Sequence, residues 1–301
     1  MNSYVIHVAD EIAIYIVLAT GMNLAIGYGG QFNLAIGALY GFGAYTTAIA
    51  MRSGWSFIPA LLLSAVLTAA VGTLVGLPAL RVRSHYLALV TLGFGESLNL
   101  IFVNATPVTG GSIGIAGIPP ATIGWMRFDN DASFALLALP VVILALLAAV
   151  SFVNSRFGRN LRALRDDATA ARASGIDVGS YQLACFALSG LYAGIAGALY
   201  AVWLNYVSPA SFDLSQSIFV LAQVLLGGAG TIVGPVIGAV ALVSLHEALI
   251  ALGDLQLIVY GLLIVILVLV ARGGIAGLLS NLARGGVASV AGLRARGGHA
   301  P

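Results

Sequence analysis

Nine apolar stretches divide the chain, at residues 11–28, 32–51, 58–79, 86–104, 133–153, 182–204, 214–229, 235–251 and 256–272. Each is about 16–23 residues long, enough or nearly enough to cross the hydrocarbon core of a bilayer as a helix. Only helices and closed barrels satisfy every backbone polar group in hydrocarbon, and runs of this length and continuity are helical. With 60% hydrophobic and 8% charged residues in 301, the chain lies far from the composition of a soluble domain. The expected fold is an all-α polytopic membrane protein of about nine transmembrane helices, with eight or ten as alternatives. Two spans are soft. Residues 11–51 are broken only by Gly29-Gly30-Gln31, and 214–229 is short and carries Gln216 and Gln223.

The segment 154–181 breaks the apolar pattern. It holds Arg156, Arg159, Arg162, Arg165 and Arg172 with Asp166, Asp167 and Asp177. At about 2.5–3.5 kcal/mol per arginine at a bilayer centre, burying five would cost roughly 12–17 kcal/mol. The segment therefore sits in water. Leu161, Leu164, Ala168, Ala171 and Gly175 recur at helical spacing and predict a short amphipathic helix with one small-residue face. Such a face suits a partner's groove; the plainer reading is a solvated loop that sets membrane topology.

Placing 154–181 inside the cell sorts the remaining charges. Alternation puts the N-terminus outside and the C-terminus inside. Arg81, Arg83, Arg156, Arg159, Arg162, Arg165, Arg172, Arg272, Arg284, Arg294 and Arg296 then fall inside, and only Arg52 and Arg127 outside, as the positive-inside rule requires. Asp10, Glu11, Asp129, Asp131, Asp213 and Asp254 fall outside. The first basic residue is Arg52, so the first helix lacks the positive region of a cleaved secretory signal and is expected to be retained.

Several chemistries are excluded by residue type. All thirteen basic residues are arginine, and without lysine neither a standard phosphate-binding loop nor a Schiff base can form. The single cysteine, Cys185, cannot form an intrachain disulfide, and His7, His85, His246 and His299 are too scattered for a metal site. No metal, no cofactor and no catalytic set is expected. A net charge of +2 makes no case for nucleic acid.

Polar groups inside spans are the remaining functional candidates. Glu96 lies mid-span with Asn99 three residues on, and the pair reads as pathway-lining or as paired packing residues. Asn23, Gln31 and Asn33 read as hydrogen-bonding links between helices. Gly37/Gly41, Gly190/Gly194 and Gly234/Gly238 have the four-residue spacing of close helix contacts. The external segment 105–132 contains Thr109, Gly110, Gly111 and Gly114 in a run too glycine-rich for a helix and too apolar for an ordinary loop. A structured gate and a plain connector are both open readings.

Six segments in order resemble a known family: GMNLAIGYGGQFNLAIGALYGFGAY (21–45), RVRSHYLALVTLGFGE (81–96), TPVTGGSIGIAGIP (106–119), SRFGRNLRALRDDATAARASGI (155–176), LSGLYAGIAGALYA (188–201) and GGAGTIVGPVIGA (227–239). The chain is similar to the LivM-type permeases of ATP-driven branched-chain amino acid importers. The resemblance implies a pore subunit in a bacterial inner membrane that pairs with a second homologous permease. It further implies two cytoplasmic ATP-binding subunits, which bind the ATP, and a periplasmic substrate-binding protein. Residues 156–176 match the loop that docks in the ATPase, which nominates Arg159, Leu161, Arg162, Leu164, Arg165, Asp166, Asp167, Ala170, Ala171 and Gly175 for coupling. Three positions depart from the family pattern: Ala168 where an acid is common, Gln182 where a lysine is common, and Arg272-Gly273-Gly274 for a longer basic motif. The domain expectation is a permease domain over 1–275 and a flexible cytoplasmic tail over 276–301 that meets anionic lipid. Another small polar solute (urea, an amide, an aromatic acid or a sugar) is the alternative cargo. A stand-alone secondary transporter using Glu96 or Glu247 is the alternative class.

Overall fold

The computed structural model describes residues 3–82, 84–124 and 126–249, with Gly261. Apart from Gly261, the span expected at 256–272 and the tail 276–301 lie outside the described residues.

The apolar stretches form helices: α1 (Ser3–Asn23), α2 (Ile36–Arg52), α3 (Phe57–Gly76), α4 (Ser84–Asn104), α6 (Asp131–Asn154), α9 (Val178–Leu204), α10 (Leu214–Gly227) and α11 (Gly234–Leu249). Among the described residues, six helical segments are long and apolar enough to span a membrane. Helices α2 and α11, of 17 and 16 residues, are shorter than the spans expected there. Helix α10 is preceded by a single 3-10 turn, Pro209–Phe212, and only together do they reach spanning length. The first helix begins at Ser3 and ends in a π-turn, Leu24–Tyr28, so Asp10 and Glu11 belong to the helix instead of preceding it.

Helix starts are set by short polar side chains that accept from otherwise unpaired N–H groups. Asn130 and Ser133 form a reciprocal capping box on α6, Asp177 caps α9, and Asp213 caps α10. Helix α9 forms the axis of the bundle. Its Phe186, Ala193, Ala196, Ala198 and Leu199 are fully buried, packed between α2 and α3. Asn33 in the break before α2 donates to Ser189 Oγ at 3.1 Å, and Asn23 donates to the Thr231 carbonyl at 2.8 Å. Both act as the expected interhelical links.

Successive bundle helices run in opposite directions between two ends. At one end His7 lies 3.6 Å from Asp131, and Tyr4 donates to Glu247 at 2.6 Å. At the other gather the π-turn after α1, the loop Gly228–Val233 between α10 and α11, and the arginine-rich segment.

The glycine-rich segment at the first end is folded, not a plain connector. It contains a turn of helix (α5, Thr106–Thr109), strand β1 (Ile115–Ala116), and a hairpin of β2 (Ala121–Ile123) with β3 (Met126–Phe128). Strand β1 pairs antiparallel with β4 (Tyr206–Val207), just beyond α9. At Gly114 φ is +80°, and a Cβ there would lie 2.1 Å from the Val207 carbonyl oxygen, so the pairing demands glycine at this position.

Candidate functional site

The arginine-rich segment continues from the C-terminus of α6. Ser155 accepts from Phe157 N at 3.1 Å and Gly158 N at 3.4 Å, starting α7 (Arg156–Asp166) directly behind α6. The apolar face of α7 turns inward. Leu161 and Leu164 are 0% and 4% exposed and pack with Val178 and Cys185 of α9, while Phe157 stacks between Phe152 and Tyr181.

Two arginines of α7 fasten it to the helix before it. Arg162 Nη2 donates to the Val153 carbonyl at 2.8 Å and Arg159 Nη1 to the Asn154 carbonyl at 3.2 Å. These are C-terminal carbonyls of α6, where a cation also complements the helix dipole. Arg165 reaches elsewhere: its Nη1 donates to the Gly27 carbonyl in the π-turn after α1. Asn23, on the same turn, accepts from Gly230 N and donates to the Thr231 carbonyl, both at 2.8 Å. One short turn thus connects the charged segment to the α10–α11 loop.

The single amphipathic helix expected over 161–175 is two helices. At Asp167 the backbone is extended, with φ −155° and ψ 107°, and α8 (Ala168–Ala173) starts there. The Asp167 carboxylate accepts from Thr169 N at 2.7 Å and Ala170 N at 3.1 Å, satisfying the first free donors of α8 at the cost of continuity with α7. These two bonds stabilise the carboxylate and hold its pKa below the ordinary carboxylate range. The expected stripe is therefore not one surface. Leu161, Leu164 and Ala171 are buried in the chain's own fold, whereas Ala168 and Gly175 are exposed. Arg159, Arg162, Arg165, Asp166, Asp167 and Ala170 are also exposed. Of these, Arg165, Asp166 and Asp167 line a groove of about 460 Å³ whose walls also include Gly30, Arg81, Arg172 and Gln182.

Replacing Asp167 with alanine should loosen α8 without unfolding the bundle. Backbone amides 168–173 are expected to exchange faster, with Asp167→Asn intermediate, as read by hydrogen exchange. The pH dependence has a defined sign. A carboxylate whose folded pKa lies below its unfolded value of about 3.9 contributes stability above that value. Protection of α8 should therefore persist through neutral pH and fall only as acid passes below pH ~4.

The candidates at the opposite end do not converge on one site. Glu96 is exposed on α4 beside a recess that also includes Asp213 and Ser217. Asn99 instead donates to the Pro209 carbonyl at 3.0 Å and the Phe212 carbonyl at 3.3 Å, a tie between α4 and the turn before α10. Thr109 donates to Phe102 and Ala105 carbonyls at 2.7 and 2.9 Å. Gly110, Gly111 and Gly114 all hold positive φ, so these four residues shape the fold of their own glycine-rich segment. The sequence reading did not anticipate the Arg165–Gly27 contact or the Asn23–Gly230 pairing; the one local signal was Asn23, an amide in an otherwise apolar run. Among the described residues no three His, Cys, Asp or Glu side chains gather to hold a metal ion.

Apolar helices running between two ends, with a folded charged appendage at one of them, mark a multi-pass membrane protein. The sequence pattern of the branched-chain amino acid transport system / permease component family matches residues 4–270, and the chain belongs to that family. It is 36% identical over 288 residues to the high-affinity branched-chain amino acid transport system permease protein LivM of Salmonella typhimurium, covering 88% of this chain and 68% of that protein. A probable branched-chain amino acid transport permease protein LivM of Methanocaldococcus jannaschii is 28% identical over 74% of this chain and 65% of its own length. The ribose import permease protein RbsC of Escherichia coli K12 is 26% identical over 88% of this chain and 84% of its own length. No solved structure matches.

Proposed function

We propose that the chain is a pore-forming permease subunit of an ATP-driven importer of branched-chain amino acids in a bacterial inner membrane. The relatives named for that cargo support the substrate. In this reading the arginine-rich end faces the cytoplasm, in keeping with the positive-inside rule. ATP is bound and hydrolysed by two separate cytoplasmic subunits, so the permease has no cofactor of its own. A periplasmic protein delivers the amino acid at the opposite end, above the folded 105–128 segment with Thr109, Gly110, Gly111 and Gly114. A second homologous permease completes the pore. Glu96 suits that interface: an exposed carboxylate mid-helix is costly against lipid and is accommodated where a second subunit excludes it.

The observation that carries the coupling role is the surface of α7 and α8. Arg159, Arg162, Asp166, Asp167, Ala170 and Gly175 present charge and small residues outward, while Leu161 and Leu164 anchor the pair to α9. A force applied to this surface is passed to the bundle instead of being absorbed by a loose loop. Arginine at Ala170, which is exposed, should place bulk in the docking surface without disturbing the fold. Ala171 is 4% exposed and would report on folding instead. With Ala170→Arg, ATP hydrolysis stimulated by loaded binding protein should fall to the unstimulated rate while the chain still purifies as a folded protein. Wild-type stimulation would remove α8 from the docking surface.

Relatives named for ribose and autoinducer 2 import keep a second cargo class in view. Binding measurements on the partner binding protein, with leucine and ribose side by side, separate the two.

A further inference from the structure

A groove of about 520 Å³ opens on the side of the bundle between α3 and α4, over α2. Phe42, Tyr45 and Ile49 of α2, Leu63 and Leu67 of α3 and Ile101 of α4 line it. The hydroxyls of Thr46, Ser53 and Thr109 border it but already donate to nearby carbonyls, at 2.8, 2.9 and 2.7 Å. Leu67 and Ile101 are 41% and 58% exposed, so the groove is open to whatever surrounds the bundle. In a membrane that is lipid or another subunit.

Size separates the two. The groove runs from Ser53 and Trp55, at the end opposite the arginine-rich segment, to Phe42 and Leu67. That is about ten residues of helix, roughly 15 Å at the helical rise, which matches half of a hydrocarbon core about 30 Å thick. Spread over that length, the volume leaves about 35 Å² of cross-section, against about 80–110 Å² for a helix 10–12 Å in diameter. A single hydrocarbon chain fits, and a whole helix does not.

Charge marks the mouth. Arg52 ends α2 seven residues after Tyr45, within about 20° on the same helix face. It is exposed and has no acidic or hydrogen-bonding partner among the described residues. Arg127, the other arginine at this end, lies 3.6 Å from Asp129. Trp55 is 51% exposed at the mouth, as tryptophans are at the level of lipid headgroups. A guanidinium pairs with phosphate oxygens through two parallel hydrogen bonds, and its aliphatic stem can lie along apolar surface.

We propose that this groove holds one acyl chain of an anionic phospholipid, with the lipid phosphate against Arg52. The chain covers Leu63, Leu67 and Ile101, and the headgroup meets the end of α2 beside Trp55. Glu96 lies five residues before Ile101, about 140° around α4, so a lipid here leaves the face proposed for the second permease free. The inference rests on the membrane-spanning fold and not on the cargo.

Native mass spectrometry of the full chain, released from detergent after titration with lipid, reads what is retained. Wild type should hold one phosphatidylglycerol tightly and phosphatidylcholine, whose own cation offsets its phosphate, more weakly. Arg52→Gln should weaken phosphatidylglycerol about five- to tenfold, the scale of a lost hydrogen bond from a charged donor, and leave phosphatidylcholine near wild type. Leu67→Trp fills the groove from an exposed position and should weaken both lipids; if it fails to fold, Arg52→Gln decides the matter. Equal retention of phosphatidylglycerol in wild type and Arg52→Gln would overturn the proposal, as would wild-type retention in a folded Leu67→Trp chain. A Leu67→Trp chain that keeps its lipid but no longer copurifies with the second permease would give the groove to that subunit instead.

Discussion

Replacing Gly190 with leucine should abolish the folded protein. A Cβ at Gly190 would lie 2.5 Å from the Thr68 carbonyl oxygen and 3.2 Å from the Ala69 Cα, and at Gly194 one would lie 2.7 Å from the Ser64 carbonyl oxygen. These are backbone atoms of α3, which cannot rotate away as a side chain can. The two helices would have to separate along their length. Nearby, Ser64 Oγ sits 2.9 Å from both the Gly43 and Gly194 carbonyls, so α2, α3 and α9 all depend on the same close approach. Over-packing one tight site costs typically about 1–3 kcal/mol. A leucine against fixed backbone, with loss of the surrounding contacts, should take most of the roughly 5–15 kcal/mol that holds a folded domain together. The expected result is loss of the monodisperse peak on size-exclusion chromatography after detergent extraction. Gly93→Ala on α4, where a Cβ meets nothing within 4 Å, should leave that peak unchanged. A well-behaved Gly190→Leu protein would mean that α3 and α9 do not touch at this point.

What could be foreseen and what could not divides along a physical line. Span positions followed from bilayer thickness, which acts on each stretch separately. The paired glycines followed from spacing on one helix: Gly37 and Gly41 meet α10 and the turn before it, and Gly234 and Gly238 meet α10 and the loop after it. The amphipathic stripe over 161–175 failed because an interaction of only two or three residues' range, the Asp167 carboxylate with Thr169 and Ala170 N–H groups, outweighed periodicity. Leu161 and Leu164 were assigned to a partner because nothing local shows that α9 returns to cover them. The same limit applies to Ile49, Leu67 and Ile101, which lie on three helices and line one groove only once the topology is known. The helical start at Ser3 was missed since Asp10 and Glu11 interrupt the hydropathy that marked the span.

Arg165→Ala is expected to uncouple ATP hydrolysis from transport while leaving the docking surface in place. Of the charged groups on α7 and α8, Arg159 and Arg162 bond within or next to their own helix, and Arg165 joins the segment to the turn after α1. That turn in turn holds Gly230 and Thr231 through Asn23. If the ATPases move α7 and α8, this chain of contacts carries the displacement to α1 and to the α10–α11 hairpin. A hydrogen bond from a charged donor contributes about 1.5–3 kcal/mol, and losing that differential between two conformations lowers coupling roughly tenfold or more. Leucine moved per ATP should fall by that factor in Arg165→Ala, with Arg165→Lys intermediate, because a lysine reaches the carbonyl without the planar fork. Asn23→Ala should give a loss of the same kind. The decisive measurement is the double variant. Two contacts in series through one turn give non-additive effects, so Arg165→Ala with Asn23→Ala should be little worse than the stronger single change. Effects that multiply independently would show two separate routes into the bundle, and the π-turn at Leu24–Tyr28 would lose its role as the junction between them.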